Sequence, residues 1–155
     1  MNYIKEAEDI LINYRKLNDS IKNLNERKKY IASQSKPKEL GSIDYSKPGI
    51  QKQNYSNNTI TQMCEIIQIN EQIKETEAEL KIVKDILGQI KNEDKTLEQF
   101  IQLKYIEGQK KKSMRKIAAE LGYSEDSNDT IYNIKNKALR EFAIRYFGSR
   151  ARRAT

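Results

Sequence analysis

Residues 113–142 read SMRKIAAELGYSEDSNDTIYNIKNKALREF, and the reading of this stretch decides the fold. Ser113 suits a helix N-cap, because its hydroxyl can accept from an otherwise unpaired amide of the first turn. Ile117, Ala118 and Leu121 then share one face of a short helix that stops at Gly122. The small Ala118 and Ala119 permit a close helix crossing, and Gly122 permits the left-handed backbone of a tight joint. Ile131, Ile134, Ala138, Leu139 and Phe142 resume a helical stripe, which continues through Ala143, Tyr146 and Phe147 to Gly148. Between the two helices stand residues 125–130, EDSNDT, where a helix-turn-helix usually has about three. Either the turn is longer or the second helix begins a turn early, near Asp126 or Ser127. Asp126, Ser127 and Asp129 all suit a helix N-terminus, which favours the early start.

Upstream, Thr96 and Gln99 have the spacing of a capping box, with Leu97, Phe100, Ile101 and Tyr105 on one face and Gly108 as the expected stop. Further out, two long seams alternate three- and four-residue steps. Tyr3, Ala7, Ile10, Tyr14, Leu17, Ile21, Leu24 and Ile31 form the first, broken at Lys28 and ending near Ser33. Ile66, Ile69, Ile73, Leu80, Val83, Leu87 and Ile90 form the second, broken at Thr76, opened by a capping box at Thr59 and Gln62 and weakened late by Gly88. Residues 34–58 carry both prolines, Pro37 and Pro48, and no sustained periodicity, and read as a flexible linker. One-sided helices do not leave their seams in water. The expected fold is therefore all-α: a long N-terminal helical hairpin of coiled-coil type over residues 1–92, then a helix-turn-helix domain over 93–148. A basic, disordered tail is expected over 149–155, and the free edge of the hairpin is expected to pair two copies into a dimer.

The charge points to one region. The chain carries 29 Lys+Arg and 22 Asp+Glu, for a net charge of +7. From residue 108 onward there are 12 basic and 5 acidic residues, and 12 − 5 = +7, so the earlier residues balance and the last third holds the whole excess. A polyanion would meet that third first. Opposite the apolar stripe, the last long helix is expected to show Asn128, Thr130, Asn133, Lys135, Asn136, Lys137 and Arg140. Asparagine matches adenine edges, and lysine and arginine match guanine edges and phosphates, so these are the candidate base contacts with double-stranded DNA. Candidate phosphate contacts are Lys110, Lys111, Lys112, Ser113, Arg115, Lys116, Arg145 and Arg150, with Arg152 and Arg153 beside them. The acidic Glu125, Asp126 and Asp129 would oppose a phosphate backbone, although a carboxylate can accept from cytosine N4.

The stretches Leu103-Lys-Tyr-Ile-Glu-Gly108, Ile117-Ala-Ala-Glu-Leu-Gly-Tyr-Ser124 and Ile134-Lys-Asn-Lys-Ala-Leu139 resemble sigma-factor region four. They resemble still more the phage-encoded ArpU/RinA-like late-gene regulators of Gram-positive hosts. Glu6-Ala-Glu-Asp-Ile-Leu-Ile-Asn-Tyr14 and Ser42-Ile-Asp-Tyr45 are similar to clostridial members with a helical N-terminal region. The resemblance implies a sequence-specific activator of phage or prophage genes, acting through host RNA polymerase. Nothing resembling the promoter-melting region two accompanies it. Such proteins place the first apolar residue of the reading helix about three positions earlier than Ile131.

Chemistry-bearing patterns are scarce. Histidine is absent and Cys64 is the one cysteine, which leaves no histidine triad, disulfide or cysteine metal cluster. The glycines form no phosphate loop, and Glu71, Glu75 and Glu79 at four-residue spacing read as a solvated helix face. The reading is of a non-enzyme with no metal or cofactor. Without a membrane-length apolar run or a signal-peptide pattern, it is placed in the cytoplasm. Two rivals remain: a DNA-packaging recognition subunit resembling a phage small terminase, and a helical adaptor whose basic end is incidental.

Overall fold

The computed structural model describes residues 2–34, 57–107, 112–124 and 127–152. Among these residues the protein is all-helical. The elements are α1 (Tyr3–Gln34), α2 (Asn57–Glu93), α3 (Lys95–Ile101), a π-helical turn (Gln102–Ile106), α4 (Met114–Glu120), α5 (Asn128–Phe147) and α6 (Ser149–Arg152). None of the described helices is long and apolar enough to cross a membrane. Most of the linker read over 34–58 lies outside the described residues, as do Gly108, Lys110, Lys111, Glu125, Asp126 and Arg153.

The chain divides into two compact units, Met1–Asp19 with Glu77–Thr155, and Ser20–Thr76. The division falls inside α1 and α2. The larger unit has a continuous core in which Leu11, Val83, Ile90, Phe100, Ile101, Ile117, Ile131, Leu139 and Phe142 are almost wholly buried. α5 is its centre, with α3, α4 and α6 packed against it. Tyr3 of α1 meets Phe147 of α5 with ring centroids 5.2 Å apart. The smaller unit packs Ile31, Ile69 and Ile73 with Ile21, Leu24 and Ile66. Beside that cluster Arg27 pairs with Glu65, and Lys28 Nζ donates to Asn70 Oδ1 at 3.1 Å. Thr76, the break in the second seam, donates its hydroxyl to the Gln72 carbonyl at 2.7 Å, which satisfies a polar group within a helix.

Two local expectations need correction. α3 is capped by Asp94, not Thr96: in extended backbone, its carboxylate accepts from the Thr96 amide at 3.1 Å and the Leu97 amide at 3.4 Å. A carboxylate placed there captures the first-turn amides before Thr96 can. α3 widens into the π-turn, whose C-cap is Glu107 with its amide on the Gln102 carbonyl at 2.6 Å; Gly108, the expected stop, follows it outside the described residues. The tail, too, is not irregular throughout, because Gly148 turns the chain at φ +66° and α6 buries Ala151 against the core.

Candidate nucleic-acid interface

α4 begins where Ser113 caps it, the hydroxyl accepting from the Lys116 amide at 3.4 Å. Its end is closed by two reversed hydrogen bonds. The Gly122 amide donates to the Ala119 carbonyl at 3.1 Å and the Tyr123 amide to the Ala118 carbonyl at 2.9 Å. With Gly122 at φ +84°, this is the Schellman pattern, in which glycine at the left-handed position satisfies the last carbonyls. Tyr123 closes the motif from outside, packing on the same core that holds Ala118.

α5 takes the early start, with Ser127 at its N-cap position and Asn128 as the first helical residue. Ser127 gives no side-chain cap; its hydroxyl lies 2.8 Å from that of Ser124. Starting there puts Ile131 in the second turn and keeps it buried, in register with Ala138, Leu139, Phe142 and Ala143. The outward side follows from that register. Asp129, Asn133, Asn136 and Arg140 recur at four-, three- and four-residue steps and are exposed, with Asn128, Thr130, Tyr132 and Lys137 alongside. Most of the candidate base contacts therefore share one accessible surface. On α4, Ser113, Arg115 and Lys116 are exposed, and so is Arg150 on α6.

Lys135 is the exception among the base candidates. It follows Ile131 by four residues and precedes Ala138 and Leu139 by three and four, so it lies within the inner stripe and not opposite it. Its Nζ is 2.8 Å from Glu8 Oε1 on α1. The same oxygen accepts the Tyr105 hydroxyl at 2.6 Å. Burial raises the Glu8 pKa, but hydrogen bonds from Lys135 and Tyr105 and the charges of Lys135 and Lys104 outweigh it. The carboxyl therefore titrates below its usual range. Tyr105 shifts the other way: burial, its bond to Glu8 and the carboxylate charge push the phenol well above its ordinary value.

Other expected cations also have partners. Arg145 is only 14% exposed and bridges Glu93 and Glu141. Burial works against its charge, but the two carboxylates hold its pKa above the ordinary value. Arg145, a candidate phosphate contact, is thus held by two carboxylates of the fold. Lys112 pairs with Glu120 at 2.8 Å. Lys137 stays 64% exposed and is 3.5 Å from Asp94 Oδ2.

The sequence reading placed Tyr105 on an apolar face and gave Glu8, Tyr105 and Asp94 no polar role. A signal for the first two was present: a lysine on an apolar stripe requires a carboxylate, though the stripe does not say which one. The described residues contain no cluster of acidic, cysteine or histidine side chains arranged to hold a metal. No protein-family model, curated protein or solved structure matches the chain.

Proposed function

We propose that the chain is a sequence-specific DNA-binding transcription regulator, an activator of phage or prophage genes that works through host RNA polymerase. α4 and α5 would form its helix-turn-helix, following the hairpin of α1 and α2. The observation that carries this reading is the outward row Asn133, Asn136 and Arg140 on α5, flanked by exposed Lys137 and backed by a fully buried stripe. A rigid helix with amide and guanidinium groups on one face is the form that reads base edges in a major groove. The charge excess after residue 107 supports the same partner. The exposed Arg115, Lys116 and Arg150 are assigned to phosphates. Dimerisation has support on α2, where Ile60, Met63 and Ile67 are 55%, 61% and 57% exposed at helical spacing.

The test is selection from a random DNA library with the full chain, followed by salt-titrated binding to the selected site. One enriched motif, especially with two spaced half-sites, is the expected result. Arg140→Ala should weaken binding to that motif by about 1–3 kcal/mol and leave binding to random duplex nearly unchanged. Lys116→Ala should weaken both alike and flatten the salt slope. DNA retention without a motif, by a ring of many copies, would favour packaging instead.

A further inference from the structure

We propose that Glu8, on the first helix of the chain, is a positioning residue for the reading helix α5, acting through Lys135 and Tyr105. The inference rests on the DNA-binding reading of α5. Two donors from different elements converge on Glu8 Oε1, the Lys135 ammonium at 2.8 Å and the Tyr105 hydroxyl at 2.6 Å. The carboxylate belongs to α1, and the donors belong to α5 and the π-turn. Glu8 and Lys135 keep only 27% and 23% of their side-chain surface, so water is a poor substitute for either partner.

The pair has two effects on the outward face. It fixes the rotation of α5 about its own axis, because a turn of one residue would carry Lys135 away from Glu8. That rotation decides whether Asn133, Asn136 and Arg140 point outward together. It also keeps one cation off the surface. A lysine stem is long enough to deliver its ammonium to water once the carboxylate charge is gone. Losing Glu8 therefore costs alignment and gains an unassigned positive charge. These have opposite consequences: specific contacts weaken, while attraction to any phosphate backbone strengthens. The first turns of α1 are thus part of the reading unit.

The experiment uses full-chain Glu8→Gln, titrated over a range of salt against the selected operator and a random duplex. Operator affinity should fall about tenfold, the loss expected for one misaligned base contact. Random-duplex affinity should be equal or higher, with the salt slope steeper by about one counterion. In Glu8→Gln/Lys135→Met the slope should return to the wild-type value while operator binding stays weak. A parallel loss on both duplexes, or an unchanged slope, would overturn the proposal and leave Glu8 a purely structural residue. If Glu8→Gln does not fold, Tyr105→Phe serves: it leaves the ion pair, so the slope should stay wild-type while operator binding weakens, and unchanged operator binding would overturn the role. Failure of the wild-type chain to select any operator would instead overturn the DNA reading. In that case recovery of Glu8→Gln stability by Lys135→Met in urea would still identify the half-buried pair.

Discussion

The two compact units hold their helices by different means. The larger one surrounds α5 with other helices and buries Phe100 and Phe142 completely. Among the described residues of the smaller one, Ile31, Ile69 and Ile73 are the buried cluster, flanked by an exposed Arg27–Glu65 ion pair and a bond from Lys28 to Asn70. A core enclosed on many sides can hold a surface in fixed register. Among the described residues, one line of contact between two helices leaves outer faces exposed, as Ile60, Met63 and Ile67 show. The difference places the stiff, feature-bearing surface in the larger unit and the sticky one in the smaller.

The largest test of that difference is truncation of the two cores. Phe142→Ala should cost about 3–5 kcal/mol, because the enclosed site cannot collapse around the cavity. Ile73→Ala, at 8% exposure in a three-residue cluster, should fall near the low end of the range for such changes, about 2 kcal/mol. Urea unfolding measures both. Equal losses would mean that the smaller unit is as tightly enclosed as the larger.

The same contrast explains what could be read from the chain. In the smaller unit the strict three–four seam is right throughout: Ile21, Leu24, Ile31, Ile66, Ile69 and Ile73 are the packed residues. In the larger unit the seam omits Leu11 and Ile86, which are 0% and 5% exposed. There the helices are covered on more than one side, and the apolar stripe is wider than a coiled-coil seam. The boundaries of α4, the glycine turn and the early start of α5 were legible, because capping and left-handed backbone are local chemistry. The partners of Lys135 and Arg145 and the Asp94 cap were not legible, because they depend on distant carboxylates or on competition for the same amides.

A smaller effect than core truncation is expected at the Glu8 node, whose side chain keeps 27% of its surface in water. The Glu8 pKa is lower folded than unfolded. Its contribution is therefore present above the unfolded carboxylate pKa of about 4.3 and is lost as pH falls through the folded value. The Tyr105 pKa is raised, so its contribution is present below the unfolded phenol pKa of about 10 and is lost as pH rises toward the folded value. Stability followed by urea at several pH values should decline on both sides of a plateau. Glu8→Gln should shrink the acid-side decline, and Tyr105→Phe the alkaline one. A Tyr105→Phe profile identical to wild type would disconnect the phenol from the node.

Asp94 sharpens the comparison at the level of one carboxylate, since one oxygen caps α3 and the other faces Lys137. Asp94→Ala should cost about 1 kcal/mol, the usual value of an N-cap. Asp94→Asn keeps an amide oxygen for the cap and loses the ion pair, and should stay close to wild type. Thermal melts of the two variants decide which oxygen matters. Matching losses would assign the stabilisation to charge and not to capping.

The smallest effect separates two arginines that look alike on paper. Arg27 pairs with Glu65 in the smaller unit and Arg145 with Glu93 and Glu141 in the larger. Arg27 keeps 63% of its side-chain surface, so solvent screens its pair and side-chain entropy opposes it. Arg27→Ala should change stability by only about 0.2–1 kcal/mol, less at high salt. Arg145 is 14% exposed, and its removal leaves Glu93 and the 34%-exposed Glu141 without their shared cation. Arg145→Ala should therefore destabilise more than Arg27→Ala and retain that effect in high salt. Measured side by side in urea at low and high salt, the pair tests whether enclosure, and not the presence of an ion pair, makes the larger unit the rigid one. Equal, salt-sensitive losses at the two positions would remove that distinction.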